Sequence, residues 1–131
     1  DAANGAKMFT RACALCHTHR GQGHAVGPDL TGLRNQPAVT LLMHIIVPNH
    51  EVQGAYTLYE VDTKDNQTFA GLLAADTPGQ ITLKLPLGLT KTIPRKNIKT
   101  LRANPKSLMP DQLEKTMTKQ ELADLLEFLK R

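Results

Sequence analysis

The chain has 131 residues and a formal charge of +4, from 16 basic and 12 acidic side chains, a length that suits one domain or a small domain carrying an insertion. No run approaches the ~20 apolar residues of a membrane-spanning helix: the longest, residues 41–47, is short, contains His44 and stops at Pro48. Aromatic residues make up only 4 % of the chain and Trp is absent, a thin supply for a core of this size, where a disulfide, metal or cofactor commonly adds stability.

Ala2, Gly5, Ala6, Phe9, Ala12 and Cys13 recur at helical spacing, which predicts a first amphipathic helix of about three turns. It runs directly into Cys13-Ala14-Leu15-Cys16-His17. Residues 18–36 carry glycines and Pro28 with little periodicity and read as a loop. Pro37 suits the first position of a second helix over residues 38–47, which Pro48 ends.

The pattern then changes to strands. Residues 55–62 and 68–74 flank the turn Lys64-Asp65-Asn66, and residues 80–85 and 90–93 flank Pro86-Leu87-Gly88. Residues 97–101 add a last short strand, so four or five strands predict a small antiparallel barrel or sheet. Helical spacing returns near the end, where Thr118 and Glu121 predict a capping box and Leu122, Leu125, Leu126 and Leu129 one apolar face. The expected organisation is a helical core of residues 1–50 and 103–131 with a β-rich insertion, residues 51–102.

Charge is unevenly spread. Residues 77–110 hold seven basic side chains and no acid, whereas residues 51–76 hold five acids and only Lys64 as a base. Such asymmetry either steers a charged partner or is simply a solvated face. Lys84, Lys91, Arg95, Lys96, Lys99 and Arg102 are the candidate docking residues for an acidic partner. Nucleic acid is not the expected partner, because only Tyr56, Tyr59 and Phe69 are available to stack on bases.

The Cys-x-x-Cys-His pattern carries the chemistry. Residues three apart on a helical turn share a face, so two thiols can add to the two vinyl groups of one porphyrin, and the next residue offers an imidazole to the iron. Three other readings use the same residues. A dithiol redox pair needs a strand before the motif, and here a helix precedes it. A zinc site would draw on Cys13, Cys16 and two of His17, His19 and His24, without a second cysteine pair. A disulfide is open to an oxidising compartment, although its loop would be small and strained.

Gly5 and Phe9 on the first helix, Cys13 to His17, Gly27-Pro28-Asp29-Leu30, Met109-Pro110 and the last leucine-rich helix together resemble a class I cytochrome c. Gly27 to Gly32, the approach from Pro48 to Tyr56, the β-rich insert and Ser107-Leu108-Met109-Pro110 are similar to one subgroup. This is the haem-binding c-type domain found at the C-terminal end of large predicted membrane-associated dehydrogenases.

The resemblance implies a mainly α cytochrome c fold with the β insertion, one covalent haem c with its iron, and specific roles. Cys13 and Cys16 attach the haem and His17 ligates the iron, with Pro28 offering its carbonyl to the free ring nitrogen of His17. Met109 supplies the sixth ligand, which raises the reduction potential. Arg34 pairs with a haem propionate. His44 and His50 are rivals to Met109, and Met8, Met43 and Met117 show that methionine here also serves as packing.

The expected function is single-electron transfer for a larger dehydrogenase or respiratory chain, without catalysis by the chain itself. A ligand-binding or sensing haem is the alternative, as is a partner-docking module of a larger enzyme. A periplasmic or otherwise exported location is expected, with no signal segment within these residues.

Overall fold

The computed structural model describes residues 1–131. Helix α1, Ala2–Ala12, is capped by the Asp1 carboxylate, which accepts from the backbone N–H of Ala3 and Asn4. It crosses α3, Lys119–Leu129, whose expected capping box is present: Thr118 accepts from the Glu121 N–H and Glu121 accepts from the Thr118 N–H. Gly5 makes the crossing close, since a Cβ there would stand 2.7 Å from Cβ of Phe128. Asp124, buried at the crossing, accepts from the Asn4 amide at 2.7 Å and the Gln120 amide at 2.9 Å. Phe9, Leu125, Met8 and Leu129 fill the seam, and Ile45 of α2, Ala38–Ile46, closes it from the side.

The remaining secondary structure is mostly β. Thr18–His19 and Gln22–Gly23 form a minimal hairpin, β1 and β2, inside the loop after the cysteines. Strands β3 (Leu58–Thr63), β4 (Thr68–Asp76), β5 (Gln80–Lys84), β6 (Thr90–Pro94) and β7 (Ile98–Asn104) make one antiparallel sheet in the order β6-β5-β4-β3-β7. Its inner face buries Val61, Ile81, Leu83 and Ile93, a second small core. The short turn Arg95–Asn97 carries the chain from one edge strand to the other, so the sheet is curled, yet β6 and β7 do not pair.

These facts correct the expected fold class. The chain is not a mainly α fold: it has three α-helices beside a five-stranded sheet, and the sheet is open rather than a closed barrel. The physical reason lies in the connections. Pro48 follows the end of α2, and the irregular connections that contain Pro28, Pro105 and Pro110 lead only into 3₁₀ turns, Leu33–Asn35 and Leu113–Thr116, in place of further helices. Meanwhile β7 runs to Asn104 and pairs with β3 along its whole length, longer than the short final strand expected.

Candidate functional site

Helix α1 ends where the motif begins. The N–H groups of Cys16 and His17 both donate to the Cys13 carbonyl, at 3.1 and 2.9 Å, which winds the segment into a tight turn. Cys13 and Cys16 thereby line the same cavity, about 370 Å³ in volume, together with His17 and Met109. The chain then folds back, and the N–H groups of Val26 and Gly27 donate to the Cys16 carbonyl at 3.0 and 2.6 Å. Gly27 passes against the His17 ring so closely that a Cβ would stand 2.8 Å from Cε1 and 3.1 Å from Nδ1. Only glycine leaves the imidazole in place.

His17 Nδ1–H donates to the Pro28 carbonyl at 2.7 Å. A carbonyl only accepts, so this bond fixes the tautomer and leaves Nε2 with a lone pair for a metal. His19, two residues on, lies differently: it is 1 % exposed, between Phe9 and Phe128, with Nδ1 3.2 Å from the Leu30 carbonyl. Its Nε2 is buried without a partner. No group of three or more metal-binding side chains converges here, which removes the geometry a zinc site needs. Burial, then the neighbouring Cys16, pushes the Cys13 thiol up to about 11, and burial raises Cys16 as well. A nucleophilic redox pair has its thiol lowered, not raised.

Met109 reaches the cavity from an irregular segment held at several points. Its N–H donates to the Ser107 hydroxyl at 3.1 Å, and the Ser107 N–H donates to the Asn49 side-chain oxygen at 2.7 Å. The two walls, Cys13–His17 and Met109, are joined by apolar Leu41, Ile45 and Leu108, with Tyr56 and Gln53 at polar positions. The β sheet contributes too: Leu72 of β4 lines the same cavity. The sheet also grips the cysteine loop, because the Leu87 N–H donates to the Leu15 carbonyl at 2.7 Å and the Lys84 ammonium to the Ala25 carbonyl at 3.1 Å.

Of the residues singled out in the sequence, the structure brings together Cys13, Cys16, His17, Pro28, Met109 and also His44 around one cavity. Arg34 does not line it; its side chain is exposed on the 3₁₀ turn between Leu33 and Gln36, which do. His50 lies outside as well, in a shallow surface groove with Val39 and Met43. The candidate docking cations divide. Arg95 pairs with Asp76, and Arg102 with Glu60 at 2.9 Å and Asp62 at 2.7 Å. Lys84 shares the row of Leu58 and Leu72 at the cavity end of the sheet, with Lys91 one row in, whereas Lys96 and Lys99 stand at the opposite end beside Thr63. Five residues of strand separate the two ends, roughly 17 Å. Leu72, Gln53 and Asn49 were not singled out; no motif marks a wall built from a strand and a turn.

An apolar cavity lined by two thiols three residues apart, an imidazole with a free lone pair and a thioether fits a haem on chemical grounds. The sequence family described as Cytochrome c matches residues 2–78, more than half of the chain. The chain belongs to the cytochrome c family. It is a haem-binding electron carrier, its cofactor is a covalent c-type haem with iron, and it works with a redox partner. The match takes in α1, the cysteine motif, α2 and the first two strands of the sheet. No helix of this cytochrome is long and apolar enough to cross a membrane.

Proposed function

We propose that this cytochrome transfers single electrons with Cys13 and Cys16 as the thioether attachments, His17 as one axial ligand and Met109 as the other. The observation that carries the reading is that all four side chains line one apolar cavity while Pro28 holds the His17 ring by Nδ1. The haem, when bound, supplies an iron that exchanges one electron between ferric and ferrous states. The chain's own part is to fix the imidazole, present the thioether sulfur and keep water from the cavity through Leu41, Ile45 and Leu72.

Docking of an acidic partner belongs at the cavity end of the sheet, where Lys84 and Lys91 adjoin the exposed leucines Leu15, Leu87 and Leu89. Arg95 and Arg102 are engaged within the sheet and contribute less to such a field. Residues 51–102 act as an insertion that walls the haem on one side. An exported setting, and service to a larger dehydrogenase or respiratory chain, complete the proposal.

A pyridine haemochrome spectrum and ferric and ferrous absorption spectra test it. The expected result is the doubly thioether-linked haemochrome and a methionine-type ferric charge-transfer band that Met109→Ala abolishes. A haemochrome without both thioether links overturns the attachment, and a band that survives in Met109→Ala overturns the sixth ligand. His44 lines the same cavity and is the specific rival. Rapid carbon monoxide binding by the reduced wild-type protein at neutral pH favours a ligand-binding haem instead.

A further inference from the structure

Asn49 stands in the turn after α2, outside the cavity, yet its amide uses both ends on the segment that carries Met109. Its oxygen accepts from the Ser107 N–H at 2.7 Å. Its Nδ2 donates to the two carboxylate oxygens of Asp111 at 3.0 and 3.3 Å. Met109 lies midway between those anchors, and its own N–H donates to the Ser107 hydroxyl at 3.1 Å. A side chain with one acceptor and one donor therefore spans the two residues on either side of the thioether.

We infer that Asn49 is a positioning residue for Met109, a latch that holds the thioether on the cavity wall and so decides whether the second axial position is closed. The inference rests on the reading of Met109 as sixth ligand. Residues 107–111 form no helix or strand of their own, so side-chain hydrogen bonds are what fix their path.

The latch also joins the two necks of the β insertion. Asn49 lies on the way in, Ser107 on the way out, and the outgoing strand is held to β3 by the Asn104 amide donating to Glu60 at 2.9 Å. Neither aspartate nor an apolar residue satisfies both partners: an aspartate keeps the acceptor for Ser107 but sets a carboxylate against Asp111, with no donor between them.

The test is a donor swap. Asn49→Asp removes the bond to Asp111 and adds like-charge repulsion, whereas Asn49→Asp combined with Asp111→Asn restores a donor–acceptor pair with its direction reversed. Loss of one latch bond plus the repulsion shifts the open-to-closed balance of the Met109 segment by about tenfold. Asn49→Asp is expected to weaken the methionine-type ferric band and to bind carbon monoxide, in the reduced state, about tenfold faster. The double variant returns both readouts to near the wild-type values. Far-UV circular dichroism identifies any variant that fails to fold.

A band and carbon monoxide rate unchanged in Asn49→Asp overturn the latch. So does a folded double variant as defective as the single one. Where the wild-type protein itself lacks a methionine-type band, the ligand assignment fails, and hydrogen exchange at the Ser107 N–H decides the latch alone. Asn49→Ala takes away the acceptor that Asn49→Asp keeps for the Ser107 N–H: protection lost in a folded Asn49→Ala supports it, and protection unchanged overturns it.

Discussion

Replacing Gly27 by alanine tests the geometry of the histidine wall directly. The new Cβ would lie 2.8 Å from Cε1 of His17, 3.1 Å from Nδ1 and 3.4 Å from Nε2. Ordinary contact begins at 3.4 Å, so the ring must retreat by about 0.6 Å. It cannot do so freely, because Nδ1 is held 2.7 Å from the Pro28 carbonyl. Overpacking of this kind costs ~1–3 kcal/mol, and a stretched hydrogen bond adds ~0.5–1.5 kcal/mol. A loss of about 2–4 kcal/mol is therefore expected in urea unfolding of the haem-loaded protein, with the slope unchanged. Gly79→Ala serves as the control, since a Cβ there meets nothing within 4 Å. The absorption spectrum should shift as well, because the moved atom belongs to an iron ligand. A Gly27→Ala protein that matches Gly79→Ala within ~0.5 kcal/mol and keeps the wild-type spectrum refutes the argument.

Three further predictions follow from the rest of the molecule. Gly5→Ala places a methyl group 2.7 Å from Cβ of Phe128 and must separate α1 from α3, so thermal unfolding should show a loss of ~1–3 kcal/mol or more. Asp62 is held at about 2 by the Arg102 guanidinium and then by the Thr100 and Thr68 hydroxyls. Because that lies below its unfolded value of ~3.9, its contribution is present above about pH 4 and fades as pH falls toward 2. The stability difference between the wild-type protein and Asp62→Asn, measured by denaturant titration, should shrink over that window; a constant difference counts against the Arg102 pairing. Oxidation of the reduced protein by ferricyanide should slow more in Lys91→Glu than in Lys99→Glu, with the gap closing at high salt. Equal slowing removes the case for docking at the cavity end.

Local chemistry made much of the fold readable. Thr118 and Glu121 announce their capping box, Pro48 stops α2 beside Ile46, and Lys64-Asp65-Asn66 and Pro86-Leu87-Gly88 place the hairpin turns close to where they lie. Five strands appear where four or five were expected. Cys13, Cys16 and His17 line one cavity because their spacing sets them on one tight turn, whereas Pro28 and Met109, which line it too, are reached only through the resemblance to a class I cytochrome c. Fold class was not readable, because it depended on how far helices extend through proline-rich connections. Arg34, expected beside a propionate, is exposed on the 3₁₀ turn whose Leu33 and Gln36 line the cavity. Leu72 and Asn49 carry no motif; they matter only once the sheet and the Met109 segment are folded beside α2.

The crossing of α1 and α3 has a consequence in time. Asn4 and Asp124, which bond across it, are 120 residues apart in the chain, whereas β3 and β4 are joined by a turn of a few residues. Contacts between near neighbours form in microseconds, and those that close long loops come later. The helix that leads into Cys13 and Cys16 therefore lacks its principal packing partner until α3 has been made and has docked. Through that interval both thiols stand on an unsheltered segment, reachable by the haem and by whatever machinery joins it. Once Gly5 meets Asp124 and Phe128, the same thiols become part of the cavity wall. Covalent attachment is therefore expected to be faster while α1 and α3 are apart than after they have docked.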